Sequence, residues 1–226
     1  LALEGVVTFG LANGTTCAVQ EGATRCFGFV LDGQPPAGPD HGTFDATPRA
    51  VVGLVGKAVK QLEGRDGTMC ARLDDGEVRC WGYNQAGRLG VGDDAARQEA
   101  TPVVASYPTP VHQLSLGMQH GCMLAGEPAQ IYCWGWLGPF HNPYTPALLD
   151  AGFPDGPQAS PLVELVSGWR SLCARYEDGG VYCLGDNVYG LMPELPSVQN
   201  YTETAFPVTG LGPAVDLAMG RHPVCA

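Results

Sequence analysis

Basic residues are scarce in this chain: 12 Lys and Arg stand against 23 Asp and Glu, for a formal net charge of −11, and no basic cluster occurs. A protein that neutralises few phosphates gains little from counterion release, so binding to a nucleic-acid backbone is not expected. Long apolar runs are missing too. No stretch reaches 18 apolar residues, so no transmembrane helix is expected. Apolar residues do not recur at i, i+3, i+4 and i+7 over any long stretch, which argues against long helices. Catalytic signatures are equally absent. There is no Gly-x-Ser-x-Gly, no phosphate-binding loop and no His-Glu-x-x-His. The histidines, His41, His112, His120, His141 and His222, never fall at His-x3-His spacing, and no cysteine pair has the short Cys-x2-4-Cys spacing of a zinc knuckle.

Turn formers and regularly spaced cysteines are what the chain has in quantity. It carries 32 Gly and 19 Pro in 226 residues, with 45% apolar and only 15% charged residues. That balance suits many short strands joined by turns around a sizeable core. Four cysteine pairs punctuate the chain: Cys17 with Cys26, Cys70 with Cys80, Cys122 with Cys133, and Cys173 with Cys183. Cys225 begins a fifth. The first members of the series lie 53, 52, 51 and 52 residues apart. So regular a period marks an array of one supersecondary unit. A second mark keeps the same register: eight residues before each opening cysteine stands an apolar residue, Phe9, Leu62, Leu114, Leu165 or Leu217. The segments around them, such as VKQLEG and VHQLSLG, read as short strands bounded by glycine turns.

Each unit therefore reads as strand, glycine turn, strand with Cys, tight turn, strand with Cys, Gly/Pro-rich loop, and a further short strand. In CARLDDGEVRCWG, centring the two cysteines on Asp75 pairs Ala71 with Arg79, Arg72 with Val78 and Leu73 with Glu77. The loop left over, Asp74-Asp75-Gly76, suits a type I turn closed by a left-handed glycine. Glu177-Asp178-Gly179 repeats it, Glu21-Gly22 shortens it, and Gly126 to Ala129 lengthens it. The loop varies while the cysteines stay opposed, close enough to bridge. Four hairpin-pinning disulfides are the favoured reading, with metal ligation and reduced core thiols as the alternatives. Disulfides would place the chain in an oxidising setting: extracellular, cell surface or periplasmic. Cys225 is left unpaired or available to another chain.

The segment CWGYNQAGRLGVG resembles the regulator of chromosome condensation repeat family through Trp81, Gly82, Asn84, Gly87, Leu89, Gly90 and Gly92. The fourth unit keeps Gly185, Asn187 and Gly190 but has Leu184 for the tryptophan. The third keeps Trp134 and Gly135 and then departs, and the first keeps only Gly28 after Phe27. The family often has a histidine two residues before the opening cysteine; His120 matches, whereas Thr15, Thr68, Ser171 and Pro223 replace it elsewhere. The paired cysteines are similar to a secreted bacterial branch of the family. The resemblance implies an all-β chain, a single β-propeller domain over 1–226 built of four-stranded blades of about 52 residues. Four blades and the start of a fifth are visible, in units 4–56, 57–109, 110–161, 162–212 and 213–226, as part of a ring that family members usually close with seven.

Function is then expected from loops, because repeat arrays bind through the loops of one face. The segments after each Trp-Gly position are rich in aromatics and proline, and Phe140, Tyr144, Tyr189 and Tyr201 are candidate anchors for a partner. Asn13 and Asn200 are candidate N-glycosylation acceptors. Trp81 and Trp134 are read as blade packing, and Asp93-Asp94 as turn chemistry. No cofactor, metal or catalytic residue is expected. The expected role is a non-catalytic protein-binding or structural module, acting on a protein partner or a further copy of itself, with glycan as another class of ligand. Nucleotide exchange on a small GTPase and a propeller-face lyase or glycan hydrolase are the alternatives. Intact mass with thiol labelling checks this reading: eight cysteines should be oxidised and one should label without reductant, whereas labelling of all nine would remove the oxidising setting.

Overall fold

The computed structural model describes residues 4–29, 44–137, 140–141, 144–155, 159–187, 201–210, 212–220 and 224–225. The described residues form four antiparallel sheets in chain order and the opening hairpin of a fifth. Blade I is β1 (Val6–Ala12), β2 (Thr15–Gln20), β3 (Ala23–Phe29) and β4 (Phe44–Ala50). Blade II is β5 (Val59–Arg65), β6 (Thr68–Leu73), β7 (Val78–Gly82) and β8 (Arg97–Pro102). Blade III is β9 (Val111–Leu116), β10 (His120–Ala125) and β11 (Gln130–Leu137), with its outer strand split into β12 (Phe140–His141) and β13 (Ala147–Leu148). Blade IV is β14 (Leu162–Ser167), β15 (Ser171–Tyr176), β16 (Val181–Asp186) and β17 (Tyr201–Pro207). The fifth unit contributes β18 (Ala218–Met219) and β19 (Val224–Cys225). In every complete blade the strand bearing the apolar mark lies at one edge of its sheet.

The central hairpins follow from their turn residues. Ala71 pairs with Arg79 and Arg72 with Val78. Leu73 N–H then donates to Glu77 O at 2.9 Å, and Gly76 N–H to Leu73 O at 3.2 Å. Gly76 closes the turn at φ 83°, where a side chain would be strained. Asp75 Oδ1 accepts from Glu77 N–H, and Asp178 Oδ1 accepts from Gly180 N–H in the equivalent turn of blade IV. These turns set the register that opposes the cysteines. Disulfides join Cys17 to Cys26, Cys70 to Cys80, Cys122 to Cys133 and Cys173 to Cys183, with Cα–Cα distances of 4.0 to 4.1 Å. Each closes a loop of only 9 to 11 residues, so chain entropy assigns each about 2–3 kcal/mol.

The core is not inside the sheets but between them. One apolar cluster joins Cys17, Val19 and Cys26 of blade I to Leu62, Met69, Ala71 and Trp81 of blade II. The next joins Cys70, Cys80 and Leu89 to Leu114, Met123 and Trp134, and a third joins Cys122 and Cys133 to Leu165, Leu172 and Leu184. Each disulfide thus lies on the trailing side of its own blade and fills the seam with the next one. The apolar mark lies on the leading side. Leu62, Leu114, Leu165 and Leu217 are 1–5% exposed, but Phe9 is 62% exposed, as are its neighbours Val7 and Leu11 at 70% and 57%. Phe9 holds the same position in its blade; it differs only in having no blade in front of it.

A side-chain clasp accompanies every seam. An edge strand leaves backbone N–H and C=O groups unpaired. The residue just before each apolar mark reaches across to the mark of the next blade. Gln61 Nε2 donates to Leu114 O, and Leu114 N–H donates to Gln61 Oε1, both at 2.9 Å. Gln113 does the same for Leu165, at 3.1 and 2.8 Å. Thr8 Oγ1 and Glu164 Oε1 accept from Leu62 N–H and Leu217 N–H at 3.3 Å. Arg72 Nε and Arg175 Nε, two residues after their opening cysteines, hold Gln61 Oε1 and Glu164 Oε2 in turn.

Two comparisons test this architecture by chemical denaturation. Leu114→Ala should cost about 2–5 kcal/mol by opening a seam cavity, whereas Phe9→Ala should cost under about 1 kcal/mol; equal losses would contradict the open leading face. Gln113→Ala should cost about 1–3 kcal/mol by stranding both backbone groups of Leu165. Gln113→Glu should recover only the acceptor half.

Candidate protein-interaction face

The two ends of the blades have different uses. At one end lie the short Cys-to-Cys turns and the connectors between blades. At the other lie the turns between the first two strands of each blade and the long loops after the Trp-Gly positions. Asn13, a candidate acceptor, is exposed at this second end with φ 45°. Tyr144 is 43% exposed and Tyr201, which opens β17, is 52% exposed. Tyr144 is also a packing residue: its ring lies where a side chain on Gly87 of blade II would be, and its carbonyl accepts from Gly92 N–H at 2.9 Å. Tyr189 and Asn200 lie outside the described residues, and the side chain of Phe140 does too. The structure places Tyr144 over the seam of blades II and III and Tyr201 on the outer strand of blade IV, so it does not gather them into one cluster.

The loop after Trp81-Gly82 shows why this end is ordered. Asn84 Nδ2 donates to the carbonyls of Asp93 and Ala95, while its Oδ1 accepts from Leu89 N–H. Asp93 carries the Arg97 guanidinium at 2.6 Å and the Ala95 N–H at 3.0 Å; the Arg97 hydrogen bond leads in holding its carboxyl below the usual range. The carboxylate is occupied by its own loop. Trp134 is fully buried, and its indole donates to Arg88 O at 2.8 Å. Trp81 is fully buried in the seam of blades I and II. His112 lies against Gly126 O at 3.0 Å. Cys225 is exposed and unbonded among the described residues.

Sequence reading missed two features here. Arg65 of β5 reaches away from its own blade, donating through Nη2 to Ser167 O of blade IV at 3.2 Å and to Gly220 O of the fifth unit at 2.7 Å. The other is an aromatic stack. The Arg170 guanidinium lies 4.0 Å from the ring centre of Trp136 and 5.9 Å from that of Trp169. Trp136 sits two residues after Trp134, and Trp169-Arg170 just before an opening cysteine, so only the spacing of tryptophans hinted at it.

Glu63 and Glu164 are the carboxylates of the inner strands. Glu63 accepts from Gln61 and, buried, has its pKa raised by desolvation against the Gln61 hydrogen bond and the Arg65 charge. Glu164 is held by Arg175. Among the described residues no group of three or more His, Cys, Asp or Glu is placed to hold a metal ion, and no helix is long and apolar enough to cross a membrane.

Among the described residues, His120 is a buried titratable group whose ring finds no hydrogen-bond partner. It is 1% exposed, and neither ring nitrogen finds a hydrogen bond. Burial, with the Arg65 charge adding to it, pushes its pKa down to about 3 from 6.5. The unfolded chain therefore takes up a proton on this residue below pH 6.5 that the folded chain refuses. His120 should contribute no pH dependence above about pH 6.5 and should lower stability progressively as pH falls towards 3. In urea titrations, His120→Thr, the residue at this position in blades I and II, should flatten that part of the profile; an unchanged slope would contradict it.

Comparison with known proteins agrees with this geometry. Residues 75–124 match the model of the regulator of chromosome condensation (RCC1) repeat. The chain is 27% identical over 147 residues to the ultraviolet-B receptor UVR8 of Arabidopsis thaliana, covering 64% of this chain and 33% of the receptor. It spans about a third of that relative's length. Among solved structures, human WBSCR16 superposes with a TM-score of 0.80 at 21% identity, over 97% of this chain and 57% of that one. Prp20p of Saccharomyces cerevisiae does so at 0.72 and 21%, over 95% and 53%. These two likenesses concern the fold. Residues 75–124 thus carry an RCC1 repeat, and blades of the same disulfide-pinned build stand before and after it, so the chain is similar in sequence and in fold to RCC1-repeat proteins.

Proposed function

We propose that the chain is a non-catalytic β-propeller module that binds a protein partner through its loop-bearing end, in an extracellular, cell-surface or periplasmic setting. One observation carries this reading: the blade interiors are consumed by packing, and exposed aromatics remain where the long loops emerge. Tyr144 and Tyr201 are large, stiff side chains of the kind that anchor interfaces. The four disulfides fit an oxidising, non-cytosolic environment. The structure of Prp20p was described with its binding to Gsp1p and histones, which supports protein binding by this architecture. The open Val7–Phe9–Leu11 face matches the leading half of an internal seam, so we read the chain as an arc of a larger ring. Units 4–56, 57–109, 110–161 and 162–212 are proposed as its complete repeats.

The match to the RCC1 repeat favours a second reading, nucleotide exchange on a small GTPase. Disulfides argue against a nuclear or cytosolic partner.

A displayed peptide library, read out by hydrogen exchange on the bound chain, separates these readings. Binders should protect the loop-bearing end around 83–96 and 144–149, and Tyr144→Ser with Tyr201→Ser should weaken them about tenfold. Protection confined to the Asp74–Gly76 and Gly126–Ala129 turns would move the site to the other end. Accelerated nucleotide release from a small GTPase would favour the second reading.

A further inference from the structure

The stack of Trp136, Arg170 and Trp169 lies at the turn between the first two strands of blade IV. Blades I and II join their first two strands through Asn13-Gly14 and Asp66-Gly67, all at positive φ, and blade III does so through Met118-Gln119. Blade III even shares its hydrogen bond: Gly117 N–H donates to His120 O as Gly168 N–H donates to Ser171 O, both at 2.9 Å. Trp169-Arg170 is therefore an addition to the turn and not a requirement of it.

The chemistry of the addition is specific. Arg79, Arg88, Arg97 and Arg175 each hold a carboxylate of their own chain. The Arg170 guanidinium is instead laid over Trp136, and among the described residues it makes no hydrogen bond or ion pair. Its Nε is enclosed with no acceptor, and the side-chain oxygen of Gln119, across the seam in blade III, is enclosed with no donor. A guanidinium stacked on an indole has lost much of its water and rotational freedom while its fork of donors stays unspent. Such a fork matches a carboxylate in two parallel hydrogen bonds. The stack also stands at the loop-bearing end, because Arg170 O accepts from Asp186 N–H, and Trp136 N–H donates to Gln119 O, where the long loops begin.

We propose that the Trp136–Arg170–Trp169 stack recognises a carboxylate side chain on an acidic segment of a protein partner. This rests on the protein-binding reading above and names the chemistry of its partner. The chain's own charge of −11 acts mainly at low salt, because exposed charges beyond about 8 Å are screened at physiological salt.

Fluorescent peptides of three series, Glu/Gly, Ser/Gly and Lys/Gly, test it by anisotropy against the whole chain. The Glu/Gly series should bind in preference to the other two and weaken as salt rises. Arg170→Gln and Arg170→Lys should each lose about tenfold, since a lysine cannot supply the planar fork. Replacing the turn by that of blade III, with Trp169→Met and Arg170→Gln together, should lose as much while the thermal midpoint stays unchanged. Equal binding of Glu/Gly peptides by the wild-type and Arg170→Gln chains would overturn the proposal, as would no binding of that series at all. Binding of Ser/Gly or Lys/Gly peptides alone, lost in the Tyr144 and Tyr201 variants, would overturn it while leaving the protein-binding reading intact.

Discussion

Everything in this molecule depends on how one blade is held to the next. A four-stranded sheet of this size has two apolar faces and an inner edge with unpaired backbone groups, and leaving them in water costs free energy. The structure answers both needs at one place. The apolar mark fills the seam, and the residue before it clasps the backbone of the following mark. Gln61 and Gln113 do this with both ends of an amide, matching the N–H and C=O of a peptide group. Thr8 and Glu164 meet the N–H alone. The clasp also fixes the offset between blades, because it works only when equivalent residues stand side by side.

The disulfides serve the same seam. Each pins its hairpin, but each also lies fully buried against the leading face of the next blade. A single feature thus stabilises a local turn and a tertiary contact. It also explains why the turn between the cysteines varies in length without consequence for the seam: the bridge and the strands beyond it keep their place.

With the interiors spent on packing, variation is pushed to the blade ends. At the loop-bearing end, Asn84 and Asp93 show loops that satisfy themselves, whereas the Arg170 guanidinium is held over Trp136 with no acceptor among the described residues. The first kind is structure. The second is the kind of surface from which recognition is built, because its ordering cost is met before any partner arrives.

By itself the sequence determined the repeat, the hairpin register, the opposition of the cysteines and the all-β blade. All of these are local: spacing, turn residues and strand alternation act within about a dozen residues, so they can be read along the chain. Only the tertiary structure decided what happens across the seams. Phe9 and Leu114 occupy the same place in the repeat, yet one is exposed and the other buried, because burial is set by whether a neighbouring blade is present. Gln61 looks like any polar strand residue until its partner 53 residues away is known. Arg65 and Arg170 look alike as surface cations, but one spends its donors on distant carbonyls and the other stacks on Trp136 with no acceptor among the described residues. Those differences arise between blades, where sequence distance carries no information about contact.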